Sequence, residues 1–175
     1  MDNELLRLAR ESGYSLIARE ALVYKYAWAI PDDEALRLIA DLSPIVEVGA
    51  GTGYWAALIA DRGADVLAYD IDPFDSKWCG NRFFDVKQAG VEVAADHPDR
   101  TLFLCWPPYD KPMAADALRA YRGDRLVFVG EGVSGCTADD SFFDMLADAW
   151  TLERTHNIPQ WSCVSDWLEI YSRNR

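Results

Sequence analysis

The chain is short of the features that staple a protein, anchor it or give it a basic face. Its 175 residues hold four cysteines, Cys79, Cys105, Cys136 and Cys163, at gaps of 26, 31 and 27 with no Cys-x-x-Cys pair. That spacing argues against a zinc knuckle or a redox dithiol; it suits small thiols in a reducing compartment, and no metal site is expected. No apolar run reaches the roughly 18 residues of a membrane helix. The N-terminus, Met1-Asp2-Asn3-Glu4, is acidic and lacks the basic region of a signal peptide. Basic clusters are also missing: the densest, Arg119 to Arg125, carries three arginines. With 17 basic against 29 acidic residues the net charge is -12, and such a surface repels phosphate backbones. Nucleic acid is therefore not an expected partner. Repeats, low-complexity runs and linker-like stretches are absent as well. The expectation is a soluble, cytoplasmic chain whose oligomeric state stays open.

What is present is apolar patterning. Hydrophobic residues make up 50% of the chain, and at this length a single domain buries roughly 70% of its unfolded surface without a staple. Residues 3–28 read as helical, with Leu5, Leu6, Leu8 and Ala9, then Leu16, Ile17, Leu22 and Val23, at helical intervals and a break at Gly13. Residues 1–30 are thus expected as a helical segment and 31–175 as the body of one compact domain. Pro31-Asp32-Asp33-Glu34 has the form of a helix start, its carboxylates suiting the helix dipole.

The most informative stretch follows. Ile45-Val46-Glu47-Val48 is a short apolar run suited to a central parallel strand. It runs straight into Gly49-Ala50-Gly51-Thr52-Gly53. Helical spacing then covers Tyr54 to Ala60. A second apolar run, Val66 to Tyr69, ends in Asp70-Ile71-Asp72-Pro73. Together these form one strand–turn–helix–strand unit in about 28 residues. Further strands are expected at Phe84 to Lys87, Thr101 to Cys105 and Leu126 to Val129. Helices are expected at Val91 to Ala95, after Pro112 and after Asp139-Asp140. Thr151 to Ile158 and Trp167 to Tyr171 should pair as an antiparallel hairpin. The fold class is α/β: a single doubly wound, mostly parallel seven-stranded sheet with helices on both faces and a C-terminal antiparallel hairpin.

Alternating glycines let the chain turn tightly and let a ligand approach without Cβ clashes. The spacing does not match the Gly-x-Gly-x-x-Gly of dinucleotide-binding proteins, which disfavours a nucleotide-dependent oxidoreductase. Nor does it end in the Gly-Lys-Ser/Thr of a P-loop. The pattern Glu47-x-Gly49-x-Gly51-x-Gly53 resembles motif I of the class I S-adenosylmethionine (SAM) dependent methyltransferases, and the resemblance covers roughly residues 30–172. It implies SAM as cofactor, Glu47 near its amino group and Asp70 at its ribose, with Asp72 as the alternative acid. The cofactor contacts it implies come from Glu47, Gly49, Ala50, Gly51, Gly53, Tyr54, Asp70, Ile71, Cys105 and Trp106.

Leu104-Cys105-Trp106-Pro107-Pro108-Tyr109, at the end of the fourth strand, resembles the Asp/Asn/Ser-Pro-Pro-Tyr/Phe motif IV of amino-methyltransferases. In that family the first side chain and a proline carbonyl accept hydrogen bonds from a substrate amine. Trp106 cannot accept one, so half of that clamp is missing and nucleobase N-methylation is disfavoured. The residues expected at the chemistry are Trp106, Pro107, Tyr109 and Asp110, with Glu131 a second possible base. His97 and His156 read as structural, and Trp55 and Trp161 as packing. The expected activity is direct in-line methyl transfer to a small molecule. The alternatives are a SAM-binding protein without turnover and a methyltransferase acting on protein or nucleic acid.

Overall fold

The computed structural model describes residues 3–73 and 81–174, so Cys79 lies outside the described residues. Two short helices come first, α1 (Glu4–Glu11) and α2 (Leu16–Lys25), then α3 (Asp33–Ala40). Each begins where a short polar side chain accepts a backbone amide: Asn3 from Leu6, Ser15 from Ala18, Asp32 from Ala35. The strands are β1 (Ile45–Val48), β2 (Val66–Asp70), β3 (Val86–Gln88), β4 (Thr101–Cys105), β5 (Arg125–Gly130), β6 (Trp150–Asn157) and β7 (Trp167–Arg173). Between them lie α4 (Tyr54–Ala60), a 3-10 helix (Val91–Asp96), α5 (Met113–Ala120) and α6 (Asp140–Ala149).

Among the described residues the strands form one seven-stranded sheet in the order β3-β2-β1-β4-β5-β7-β6. All neighbours are parallel except β7, which runs antiparallel to β5 and to β6. This is the expected doubly wound α/β sheet with its terminal hairpin. The order reverses between β1 and β4, so a crevice opens at the carboxyl ends of those strands.

The strands alternate faces with a period of two. Ile45, Phe103 and Val127 pack with Leu36, Ile39, Trp55 and Ile59 of α3 and α4. Val46, Leu102, Leu104, Leu126 and Phe128 pack on the other face with Ala114, Leu118, Phe142 and Leu146 of α5 and α6. A third cluster of Leu5, Leu6, Ala9, Tyr26, Ile30, Tyr54 and Trp161 joins the N-terminal helices to the body. No helix among the described residues is long and apolar enough to cross a membrane.

The N-terminal segment departs from its apolar pattern. Helix α2 stops at Lys25 rather than near residue 28, and its face is open: Ile17 is 89% exposed and Leu16 49%. Only Val23 of that helix is buried. The periodicity makes a helix, but nothing among the described residues covers Ile17.

Tyr54 ties α1 to the sheet. Its hydroxyl accepts from the Leu5 amide at 3.1 Å and donates to Asn3 Oδ1 at 3.2 Å. Burial pushes the phenol up to about 12. Tyr54→Phe leaves the Leu5 amide unsatisfied and should lower unfolding free energy by about 1–2 kcal/mol. Urea denaturation would measure that loss, and hydrogen exchange should show reduced protection at Leu5.

Candidate active site

The glycine turn takes its shape from the end of β2. The amides of Gly49 and Ala50 both donate to the Tyr69 carbonyl, at 2.8 and 3.0 Å. The Gly51 amide donates to Asp70 Oδ2 at 2.9 Å, and Asp70 Oδ1 accepts from the Asp72 amide at 3.0 Å. Gly49, Gly51 and Gly53 all have positive φ, at 80, 54 and 71°, a region that glycine enters without Cβ strain. A Cβ on Gly49 would stand 2.6 Å from Met113 Cε, and one on Gly53 would stand 2.7 Å from Phe84 Cβ.

This turn forms one side of a cleft of about 1430 Å³ at the sheet's reversal point. Small-molecule sites commonly measure about 300–1,000 Å³, so there is room here for two ligands. Of the residues singled out from sequence, Glu47, Gly49, Ala50, Gly51, Tyr54, Asp70, Ile71, Cys105, Trp106, Pro107 and Tyr109 all line it, and so do Asp72, Trp55 and Glu131. Two do not. Gly53 sits against Phe84 and Val86 of the β3 edge, so its missing side chain serves packing. Asp110 faces a smaller depression beside Thr137, Asp139 and Asp140. Its backbone turns at φ 51° and donates to the Ala138 carbonyl, which carries the side chain away from the cleft.

The histidines and Trp161 are structural. His97 stands 3.1 Å from the Tyr69 hydroxyl and His156 3.1 Å from both oxygens of Asp32. Trp161 is enclosed in the third cluster and donates to the Trp28 carbonyl at 3.1 Å.

Glu47 is the unusual group on the glycine side. It is 2% exposed, and its Oε2 has no hydrogen-bond partner. Burial, and then the charge of Asp70, push its carboxyl up to about 8. Cys105, the next strand's contribution, has its thiol pushed up by burial and by the charges of Glu47 and Asp166, so it stays protonated and is no nucleophile.

The opposite side centres on Trp106. Its backbone is left-handed, φ 51°, an outlier for a bulky residue that costs about 1–3 kcal/mol. Three contacts hold it there. Its amide donates to the Val129 carbonyl at 2.8 Å, its indole N–H to Asp166 Oδ1 at 2.8 Å, and its ring stacks on Trp28 with centroids 5.1 Å apart. The Arg19 guanidinium lies 5.1 Å from the Trp28 ring centroid and 5.4 Å from that of Trp106. Asp166 is 0% exposed and its Oδ2 is unpartnered. Burial lifts its carboxyl to about 7 even though the Trp106 hydrogen bond pulls it down. Glu131 is already engaged: Oε2 accepts from the Cys136 amide at 2.7 Å and Oε1 from the Ser165 amide at 2.9 Å. The Pro107 carbonyl is engaged as well, accepting from Ala138 at 3.1 Å.

Sequence reasoning missed Arg19, Trp28 and Asp166. For Arg19 a signal existed: Leu16, Arg19 and Val23 fall on one helical face, and all three line the cleft. For Asp166, in the connection between β6 and β7, no local signal marks the pairing with Trp106.

No protein-family model matches the chain, and no curated protein matches it by sequence. Solved structures do. The chain is similar to magnesium protoporphyrin IX methyltransferase of Synechocystis, solved with bound SAM, at 14% identity and a TM-score of 0.54, covering 99% of this chain and 86% of that one. It is also similar to a ribosomal protein methylase of Lactobacillus delbrueckii, at 15% identity and a TM-score of 0.51, covering 84% and 82%. A SAM-dependent methyltransferase of Corynebacterium glutamicum gives 18% identity and a TM-score of 0.50, covering 80% and 87%. At these identities the likeness establishes the fold, the α/β fold of the SAM-dependent methyltransferases.

A pH signature should come from Glu47. Between the usual carboxylate value of 4.5 and about 8, the native state keeps a proton that the unfolded state has released, so native stability falls as pH rises through that window. Glu47→Gln cannot ionise. Its Tm should equal that of the wild type near pH 4.5 and exceed it at pH 8 by at least about 2–4 °C, the equivalent of about 1 kcal/mol in a chain of this size. Asp166 contributes a similar slope to both proteins, so their difference in thermal melts isolates Glu47.

Proposed function

We propose that the chain is a SAM-dependent methyltransferase that acts on a small-molecule acceptor by direct in-line transfer. One observation carries the reading: a buried carboxylate with an unpartnered oxygen, Glu47, lies at the glycine turn and lines the cleft. An enclosed acid of this kind calls for a cation, and SAM carries an ammonium group. Gly49, Ala50, Gly51, Tyr54, Ile71, Cys105 and Trp106 would hold the rest of the donor, with Asp70 at its ribose. Asp70 already accepts two amides, but each carboxylate oxygen accepts more than one hydrogen bond, so it retains capacity for sugar hydroxyls.

When bound, the cofactor supplies an electrophilic methyl group on a sulfonium. The chain's own work is then to orient the acceptor and exclude water, and positioning alone accounts for much of the acceleration in such reactions. Trp106 and Tyr109 present aromatic surface to the cleft, worth about 0.5–2 kcal/mol toward a cation. An acceptor that keeps a free lone pair needs no base, which suits a cleft where Asp110 is turned away and both Glu131 oxygens are occupied. Residues 3–30 would act as the acceptor-side wall of a single domain, since Leu16, Arg19, Val23 and Trp28 line the cleft. The net charge of -12 favours a small acceptor over a nucleic acid.

A SAM-binding protein without turnover is the second reading. The indole of Trp106, standing where a hydrogen-bond acceptor heads the resembled motif, favours it.

Calorimetry should detect binding of SAM or its demethylated product, and Gly51→Arg should abolish it while the melting profile shows a folded protein. Absence of affinity for both compounds in the wild type refutes the assignment. Tyr109→Ala, at a residue 63% exposed, should reduce methyl transfer more than donor affinity. Labelled methyl that never reaches any metabolite fraction would leave the non-catalytic reading.

A further inference from the structure

We propose that the second occupant of the cleft, the methyl acceptor under the reading above on which this rests, is a flat aromatic molecule carrying a carboxylate that Arg19 binds. Acidic residues outnumber basic ones by 29 to 17, so a cation without an acid is unexpected. Arg100 and Arg173, also half-buried, have acceptors for their N–H groups: Arg100 donates to Asp65, and Arg173, with no acid, to the carbonyls of Gly123 and Tyr121. Arg19 makes no ion pair or hydrogen bond among the described residues, and its Nε is shielded from water without an acceptor.

Neither acid near Arg19 hydrogen-bonds it. Asp166, whose carboxyl the Arg19 charge pulls down, is enclosed and directs Oδ1 to the Trp106 indole. Glu131 directs its oxygens to the Cys136 and Ser165 amides. What Arg19 does have is aromatic surface, Trp28 and Trp106. A guanidinium lying against rings still offers its N–H edge, a planar fork that matches a carboxylate. Lys111 lines the same cleft as a second cation.

The surroundings specify the rest of the molecule. Leu16, Val23 and Val164 are apolar, and Trp28, Trp106 and Tyr109 are flat. The occupant therefore pairs an anionic end with an aromatic body. The carboxylate is its anchor; transfer takes place at another atom. The volume beyond the glycine turn accommodates such a molecule beside a donor.

The test uses the full chain and three acid/amide pairs as probes: benzoate and benzamide, 2-naphthoate and 2-naphthamide, indole-3-carboxylate and indole-3-carboxamide. Each is titrated calorimetrically with and without S-adenosylhomocysteine. At least one acid should bind roughly tenfold or more tightly than its amide, as a charge-assisted hydrogen bond supplies. In Arg19→Gln that preference should shrink to within about twofold, with melting temperature and S-adenosylhomocysteine affinity unchanged. Arg19→Lys, which keeps the charge and loses the fork, should retain part of it. If no acid is preferred over its amide, or the preference survives Arg19→Gln, the proposal is wrong. Failure of S-adenosylhomocysteine to bind would instead remove the methyltransferase reading, and the acid/amide comparison without it would still decide the role of Arg19.

Discussion

The hydrogen bond from the Gly51 amide to the Asp70 carboxylate fixes the geometry on which the cleft depends. Two parallel strands in register, with Val48 opposite Tyr69, end together. The second lends the Tyr69 carbonyl and the Asp70 carboxylate to three successive amides of the turn that follows the first. A turn held this way must run through positive φ, and glycine does so without strain. The absence of side chains there opens the cleft above Glu47. The same closeness of Asp70 raises the free energy of an ionised Glu47. One constraint thus creates both the space and an acid without a partner inside it.

Much of this frame is legible in sequence because it is local. Pro44 and Gly49 bound β1, Gly53 precedes α4 and Pro107 follows closely on β4, and the boundaries of all three coincide with those read from the residues. The glycine turn, the acid after β2 and the terminal hairpin are local too. Gly53 shows where local reading stops: its spacing matches the resembled motif, yet its Cβ position is set by Phe84 and Val86 on the sheet edge. Asp110 follows the proline turn in sequence, but a left-handed residue and a bond to Ala138 send it to the other side. The pairs that organise the far wall, Trp106 with Asp166 and Arg19 with Trp28, join residues on separate elements. No spacing rule connects them, and only the packing of α2 and the hairpin connection against the sheet brings them together.

Trp106 deserves reading as a replacement rather than a loss. A polar residue at the head of this turn would offer a hydrogen-bond acceptor to the cleft. The indole offers a flat face, and its N–H is consumed by a buried acid behind it. Bulky residues are rarely left-handed, so the strain persists because the Val129 carbonyl, Asp166 and Trp28 all restrain it. Such over-determination is characteristic of functional surfaces.

Charge is unevenly spread over the cleft. Glu47, Asp70 and Asp72 lie on the glycine side, Arg19 and Lys111 are the basic groups of the lining, and Glu131 lines the Trp106 side with both oxygens on backbone amides. Under the proposed function, a cationic donor suits the glycine side and an anionic acceptor the side of Arg19. Each is also repelled from the other's place, and repulsion contributes to specificity as much as attraction does. Two ligands of opposite charge would sort themselves into order by electrostatics alone.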